Sequence, residues 1–425
     1  MRVAVIAQQA SAGGGTRFLR PLVRALADTY EDIHLTVFVN VQAASQFGAM
    51  AGFDHERITV QPIEPIPYLD PPPASMRGWL RLVCARLLGM DNASLVRAGI
   101  RRTQDGLRGY DVVYLAWPYF LEPFDTGAPT VGTFHDFNFK HSFGSIGADQ
   151  VVTLERQVKG WIRRCAVAVT SSRFIEDELC RHYGEVVRLH QTVRLTTFAA
   201  TRPNEAAIAD ATKRHGVPND YVVCPSNTSP HKNLKTLLAA YARARLGGAP
   251  PLVLMGNGTD MLLRVGDRPA TSFGVEWDRM LDEFSESGLR LGRDVFALGY
   301  VADPDADALI AGARLLVAPS LYEAGSGPAV DAWSLGTPVV FSGIAPFAEH
   351  LECLGVAAEM FDPESPDDIG RVILRVLGEP SRMTEMAEQS MEAMSRYTWA
   401  DVARSYRLVL EAAIAQGTAN HGGER

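Results

Sequence analysis

The sequence predicts an α/β protein built from two parallel-sheet domains, on three observations. At 425 residues the chain suits two domains, each long enough to bury its own core. Short apolar runs alternate with helical patterns along both halves, the mark of parallel strands joined by crossover helices. Two of these strand–loop–helix units, residues 221–258 and 314–344, carry polar or glycine-bearing loops suited to a phosphorylated sugar.

In the first half, strands are expected near Arg2–Ala7, His34–Asn40, Asp111–Ala116, Thr130–His135 and Ala166–Ser171. In the second they fall near Tyr221–Pro225, Leu252–Met255, Val295–Leu298, Arg314–Ala318 and Pro338–Phe341. Gly13-Gly14-Gly15 follows the first strand, and Leu19, Leu22, Val23 and Leu26 give the helix behind it one apolar face. The N-terminus of that helix can face a phosphate or an acceptor. A dinucleotide fingerprint would need a third glycine where Phe18 stands, which argues against NAD. The domain boundary is expected in the polar stretch Thr201–Val217. That gives a first domain over 1–200, a second over 217–397, and a last segment, 398–416, whose helix at about Ala400–Ala415 packs back on the first domain.

Hydrophobic residues are 47% and charged residues 21%, an ordinary globular balance. A formal net charge of −8 argues against a nucleic-acid partner, which needs a broad basic face. No stretch approaches the eighteen apolar residues of a membrane span, and the first strand is too short for a leader's core. The five cysteines (Cys84, Cys165, Cys180, Cys224 and Cys353) are scattered without metal or redox spacing. The expected location is cytoplasmic, and no metal or other cofactor is expected.

In the first loop, Tyr221–Pro225 reads as a buried strand. Ser229 then reads as an N-cap and Pro230 as the first helical residue. Leu234, Leu237, Leu238 and Tyr241 follow at the spacing of one buried helical face. On that reading Lys232 lies in the first helical turn, where a cation opposes the helix dipole by roughly 0.3–1 kcal/mol. A bound anion would reverse the sign of that interaction. The alternative is a solvated surface lysine.

In the second loop, the strand Leu315–Ala318 runs into Pro319-Ser320-Leu321-Tyr322 and then Glu323. Gly327 or Ser326 is the expected N-cap of a helix opened by Pro328, and Asp331 falls about one turn in. Carboxylates only accept hydrogen bonds, which suits sugar and ribose hydroxyls. Glu323 and Asp331 could equally be a loop charge and a helix-start residue.

The run Glu323-Ala-Gly-Ser-Gly-Pro-Ala-Val-Asp331 resembles the signature of the retaining glycosyltransferases of family 4 (glycosyl transferases group 1), whose GT-B fold sets two Rossmann-like domains face to face. Pro230-His-Lys-Asn-Leu234 is similar to that family's lysine-bearing phosphate loop, and Gly13–Gly15 to its N-terminal glycine loop. Thr133-Phe-His-Asp136, Val169–Phe174, Leu298-Gly-Tyr-Val301 and Tyr397-Thr-Trp399 resemble further family segments in the same order. The likeness therefore covers nearly the whole chain. It departs from the family at three places. Asp331 replaces a glutamate, Ser226 stands where many relatives carry an arginine six residues before the lysine, and the turn Ala324–Gly327 lacks an aromatic.

The resemblance implies transfer of a sugar from a nucleotide-diphosphate donor (UDP-, GDP- or dTDP-linked) to a glycan, glycolipid or small-metabolite hydroxyl, with retention by front-side displacement. It implies Lys232, Glu323 and His135 as catalytic residues: Lys232 on the leaving diphosphate, Glu323 on the sugar, His135 beside the sugar from the opposite domain. Donor contacts are implied for Gly14, Gly15, Asn227, Gly299, Tyr300, Val301, Gly325, Ser326, Gly327 and Pro328, with Asp331 on the ribose. By itself His135 could be a satisfied histidine at a strand end, and Asp136 reads as structural. A sugar-nucleotide epimerase and a silent sugar-nucleotide-binding subunit share these features.

Two segments exceed simple connections. Residues 62–110 carry Pro71-Pro72-Pro73 and Trp79 among Arg77, Arg81 and Arg86. Such a mix can make a weak membrane-surface contact, but Arg81 and Arg86 would fall on different sides of one helix, which favours a roof over the acceptor pocket. Residues 259–292, with Phe273 and Trp277, read as an insertion in the second domain.

Overall fold

The computed structural model describes residues 1–7, 14–40, 53–63, 92–141, 147–199, 201–263 and 274–422. Gly13, residues 71–73, Arg77, Trp79, Arg81, Arg86, Cys84 and Phe273 lie outside them, as does the side chain of Trp277.

The first domain runs β1 (Arg2–Ile6), α1 (Gly14–Thr29), β2 (His34–Asn40), β3 (Ile58–Ile63), α2 (Asn92–Gly106), β4 (Val112–Leu115), β5 (Thr130–Phe134), α3 (Ala148–Arg164), β6 (Val167–Thr170), α4 (Arg173–Tyr183) and β7 (His190–Thr192). Its seven strands are parallel in the order β3-β2-β1-β4-β5-β6-β7. The second domain runs α5 (Glu205–His215), β8 (Val222–Pro225), α6 (Leu234–Leu246), β9 (Leu252–Met255), α7 (Gly274–Glu286), β10 (Val295–Ala297), α8 (Asp303–Ala311), β11 (Leu315–Ala318), α9 (Gly327–Leu335), β12 (Val339–Ser342), α10 (Ala345–Leu354), β13 (Glu359–Phe361), α11 (Pro366–Leu377) and α12 (Pro380–Ser395). Its six strands are parallel in the order β10-β9-β8-β11-β12-β13. The last helix, α13 (Trp399–Gly422), returns to pack on α1 and on β4–β6. The two-domain α/β class expected from the alternating pattern is therefore the one observed.

Each sheet is covered on both faces, and the period-2 alternation of its strands feeds two cores. In β1, Val3 and Val5 join a core with Leu19, Leu22 and Leu26 of α1 and Tyr406 and Leu410 of α13. Ala4 and Ile6 join Trp161 and Ile162 of α3 and Leu179 of α4 on the other side. In β8, Val222 and Cys224 pack with α6 and α11, and Val223 with α8 and α9. Strands buried on both faces read as continuous apolar runs, which is why the central ones were legible. The edge strands β3, β7 and β13 were not. They are partly exposed runs: His190-Gln191-Thr192 and Glu359-Met360-Phe361 have three residues each, and Ile58–Ile63, though six long, has a single buried residue.

The stretch Thr201–Val217 holds a helix, α5, capped by Asn204, whose side chain accepts from Ala207 N at 2.9 Å. It packs on α8 of the second domain, so the crossing between sheets is the extended run just before it. No helix among the described residues is long and apolar enough to cross a membrane.

Candidate active site

In both sheets the strand order reverses at one point, between β1 and β4 and between β8 and β11. Loops leaving the carboxyl ends of strands at such a switch point cannot close over one another, and a crevice results. The two crevices merge into a cavity of about 380 Å³ lined from both domains. Trp117 reaches it from the loop after β4, His135 and Asp136 from after β5, and Arg17 and Phe18 from α1. From the second domain come Asn227, His231 and Lys232 after β8, Gly256 and Asn257 after β9, Tyr300 and Val301 after β10, and Tyr322, Glu323, Gly325, Gly327 and Pro328 after β11.

Lys232 and Glu323, brought from two loops, meet as an ion pair with Nζ 2.6 Å from Oε1. Ser320 Oγ donates to the same oxygen at 2.7 Å. Burial would raise the Glu323 carboxyl, but Lys232 and the Ser320 hydroxyl hold it below the usual carboxylate range. It is ionised and pre-oriented.

The turn that carries Lys232 differs from the expected helix start. Pro230–Lys232 is a single 3₁₀ turn, and Asn233 breaks it with φ +58° before α6 begins at Leu234. Ser229 makes no side-chain cap; Asn227 Oδ1 instead accepts from Ser229 N at 2.9 Å. The Asn233 amide donates to Pro319 O at 3.0 Å and Pro363 O at 2.8 Å, so the left-handed residue stitches the Lys232 loop to the Glu323 loop. Lys232 therefore sits ahead of the helix.

His135 is buried, with its ring stacked on Trp117 and edge-on to Phe18, both at 4.8 Å between centroids. Burial pulls its pKa down to about 4, so the ring is neutral near pH 7. Nε2 lies 3.1 Å from Ala116 O, which assigns the single proton to Nε2. His231 is likewise lowered to about 4 by burial and by Lys232, and its Nδ1 takes the Asn138 amide from the first domain at 3.1 Å. Asp136 is raised by burial, and its Oδ1 accepts from Asn138 N at 2.9 Å, a structural use of that carboxylate.

Asp331 departs from the sequence expectation. Asp331, expected on the ribose, is fully buried and does not line the cavity. Its Oδ1 accepts from Thr197 Oγ1, Phe198 N and Ala199 N at 2.9, 2.7 and 3.1 Å, and its Oδ2 lies 3.2 Å from Arg17. A side chain one methylene shorter than glutamate stays with the interdomain crossing. Ser326 turns its hydroxyl inward, accepting from Ala329 N as the α9 cap. Gly299 forms the turn (φ +68°) that presents Tyr300 and Val301, its carbonyl taking Gly256 N at 2.7 Å. Gly14 and Gly15 open α1.

Sequence reading passed over Arg17, Trp117, His231, Tyr322 and Gly256. Signals were present for four: Arg17, His231 and Tyr322 lie in or beside loops already singled out and Gly256 in the Met255-Gly-Asn-Gly258 turn, while Trp117 simply follows the expected strand Asp111–Ala116. Gly256 has φ +135°, and a Cβ there would meet Ser226 O at 2.1 Å, so only glycine lets the two loops touch. Tyr322 Oη accepts from Phe137 N at 3.0 Å and donates to Glu178 Oε2 at 2.5 Å, joining the domains behind the cavity.

Among the described residues, His141, Glu178 and His182 place ligand-type atoms within 4.8 Å of one another. Both Glu178 oxygens are already engaged, by His141 and by Tyr322, the latter from the second domain.

Residues 209–393 match the family described as glycosyl transferases group 1. The chain is 27% identical over 307 residues to O-antigen chain mannosyltransferase B of Escherichia coli, covering 70% of this chain and 74% of that protein. It is 32% identical over 117 residues to the MMP alpha-(1->4)-mannosyltransferase of Mycolicibacterium hassiacum, 27% of this chain and 28% of that one. Among solved structures, Anabaena Alr3699/HepE in complex with UDP and glucose superposes with a TM-score of 0.69 at 18% identity, covering 97% of this chain and all of that one. The likeness shows the fold, the face-to-face GT-B arrangement.

Proposed function

We propose a reaction for this chain from one premise: it is a GT-B glycosyltransferase whose second domain is that of glycosyl transferases group 1. It moves a hexose from a nucleotide-diphosphate sugar to an acceptor hydroxyl, with retention at the anomeric carbon. The observation that carries this reading is the Lys232–Glu323 pair at the second sheet's switch point, facing a cavity that His135 lines from the other domain. That the relatives are mannosyltransferases supports mannose as the sugar.

On this reading Lys232 swings from Glu323 to the donor diphosphate. Charge develops there as the bond from the anomeric carbon to the phosphate oxygen breaks, and a cation held in a dry cleft stabilises it. Glu323, released, accepts hydrogen bonds from sugar hydroxyls. The acceptor oxygen bonds to the anomeric carbon on the face the phosphate leaves, and its proton passes to that phosphate oxygen. His135, neutral and holding its proton on Nε2, packs beside the sugar and keeps water out. Tyr300 and Val301 take the base, and the backbone of Gly325, Gly327 and Pro328 takes the donor at the start of α9. With Asp331 buried, the ribose contact passes to other cavity groups.

The test is a thermal-shift screen against UDP, GDP, ADP, dTDP and their sugars, followed by donor-consumption assays with and without glycan acceptors. The expected result is a raised midpoint with one base, donor loss that depends on an acceptor, and a product whose anomeric configuration matches the donor's. Donor turnover without acceptor would make the chain an epimerase. Binding with no turnover would make it a silent sugar-nucleotide subunit.

A further inference from the structure

We propose that Arg17 is the closure clasp of the cleft, a positioning residue whose guanidinium docks between Asp303, Asp307 and Asp331 of the facing domain and so sets the separation of the two halves of the site. The proposal rests on the transferase reading for its kinetic consequence only.

Arg17 lies in the first turns of α1, on the helix that leaves β1. Its guanidinium crosses the cleft, with Nη2 3.0 Å from Asp307 Oδ1 and 3.2 Å from Asp331 Oδ2, and Nε 3.3 Å from Asp303 Oδ1. Arg20 adds a second tie, 3.2 Å to Asp303 Oδ2. Asp303 opens α8, and Asp307 follows one turn later. Asp331 is the link to the interdomain crossing, because its other oxygen holds Thr197, Phe198 and Ala199. The Phe198 ring lies 5.8 Å from the Arg17 guanidinium. One guanidinium thus ties the first domain, the interdomain crossing and two helices of the second domain whose N-termini border the cavity.

The charge balance makes the arrangement directional. Three carboxylates gather round two arginines, and two of the three, Asp307 and Asp331, are raised by burial above the usual carboxylate range. Withdrawing Arg17 as the domains part would leave buried carboxylates side by side without their counter-ion, an arrangement that is strongly disfavoured. Arg17's planar fork suits three simultaneous partners, which the single ammonium of lysine does not.

The experiment pairs small-angle scattering of the ligand-free protein with donor kinetics, on Arg17→Ala, Arg17→Lys, Asp307→Asn and the Arg17→Ala/Asp307→Asn double variant. Arg17→Ala is expected to enlarge the ligand-free radius of gyration and raise donor KM by about tenfold, with kcat within about threefold, because saturating donor can close the cleft by its own binding energy. Arg17→Lys should fall between, and Asp307→Asn should change neither quantity further once Arg17 is gone. An unchanged radius and KM in folded Arg17→Ala would overturn the proposal. So would a fall in kcat at unchanged radius, which would make Arg17 a direct ligand of the diphosphate. Should Arg17→Ala fail to fold, Arg17→Lys and Asp307→Asn read the same two quantities, and no change in either overturns it too. The scattering arm uses no substrate, so it stands or falls apart from the proposed reaction.

Discussion

Lys232 Nζ and Glu323 Oε1 are 2.6 Å apart, although 91 residues separate them in the chain. Each neutralises the other at the wall of the cavity. Lys232→Ala is expected to lower kcat by about 10²–10³-fold, the range for loss of one preorganised charge partner. It should also lower stability, because Glu323 is left buried and unpaired. Adding Glu323→Gln should restore the denaturation midpoint while activity stays low. Kinetics and urea unfolding on the parent protein and the two variants check this; a double variant no more stable than Lys232→Ala would show that the pair carries no such strain.

Asn233 holds a left-handed backbone and donates to two carbonyls, Pro319 O and Pro363 O. Asn233→Ala keeps the strain and strips both acceptors of their partner, for an expected loss of about 3 kcal/mol. Asn233→Gly relieves the strain alone and should lose less. Denaturant titration orders the two, and equal losses would mean that the backbone conformation contributes nothing.

Gly256 admits no Cβ without displacing Ser226. Gly256→Ala should push the loop at 226–227 away, costing more than about 2 kcal/mol and weakening nucleotide binding in the thermal-shift assay. A variant with wild-type midpoint and wild-type nucleotide response would contradict the close approach of these loops.

Stability should fall on acidification between about pH 6.5 and 4. His135, His231 and His350 are each lowered to about 4 by burial, against an ordinary value near 6.5. Over that window the unfolded chain binds protons that the folded chain refuses, so each histidine contributes stability that is complete above pH 6.5 and is lost as pH falls, ~3 kcal/mol apiece at the limit. Asp307, raised to about 6 by burial, works in the opposite direction between about pH 6 and 4, and Asp136 and Asp331, also raised by burial, work with it. His350→Asn should shrink the drop in unfolding free energy between pH 7 and pH 5. An undiminished drop would mean that His350 is already protonated in the folded protein.

The sequence carried those parts of the site whose chemistry is local. A strand, a loop with a lysine and a buried helical face lie within 221–246, so the order of those residues alone places Lys232 at the cleft. The glycine and proline positions around Glu323 did the same for the second loop. What could not be read is set by partners far along the chain. Asp331 looks like a helix-start acid until Arg17, some 300 residues earlier, and the crossing at 197–199 claim both its oxygens. The break at Asn233 was hidden because Ser229-Pro230 is also a sound helix start, and the carbonyls that favour a left-handed residue come from Pro319 and Pro363. Neutral His135 was readable as a residue at a strand end, but its protonation follows from Phe18 and Trp117, which only the fold brings to it.

The return of α13 has a bearing on synthesis. Val402, Ala403, Tyr406, Val409, Leu410 and Ala413 are buried in the same core as β1 and α1, and Tyr406 Oη lies 2.9 Å from Thr133 Oγ1. The first domain is thus finished by residues translated roughly 200 positions after its last strand. Roughly 200 residues lie between Thr192 and Trp399. At about 5–20 residues per second the ribosome needs on the order of ten to forty seconds to deliver them. During that interval the nascent first domain carries an open apolar face, and the second domain has time to fold on its own before the arriving helix covers that face.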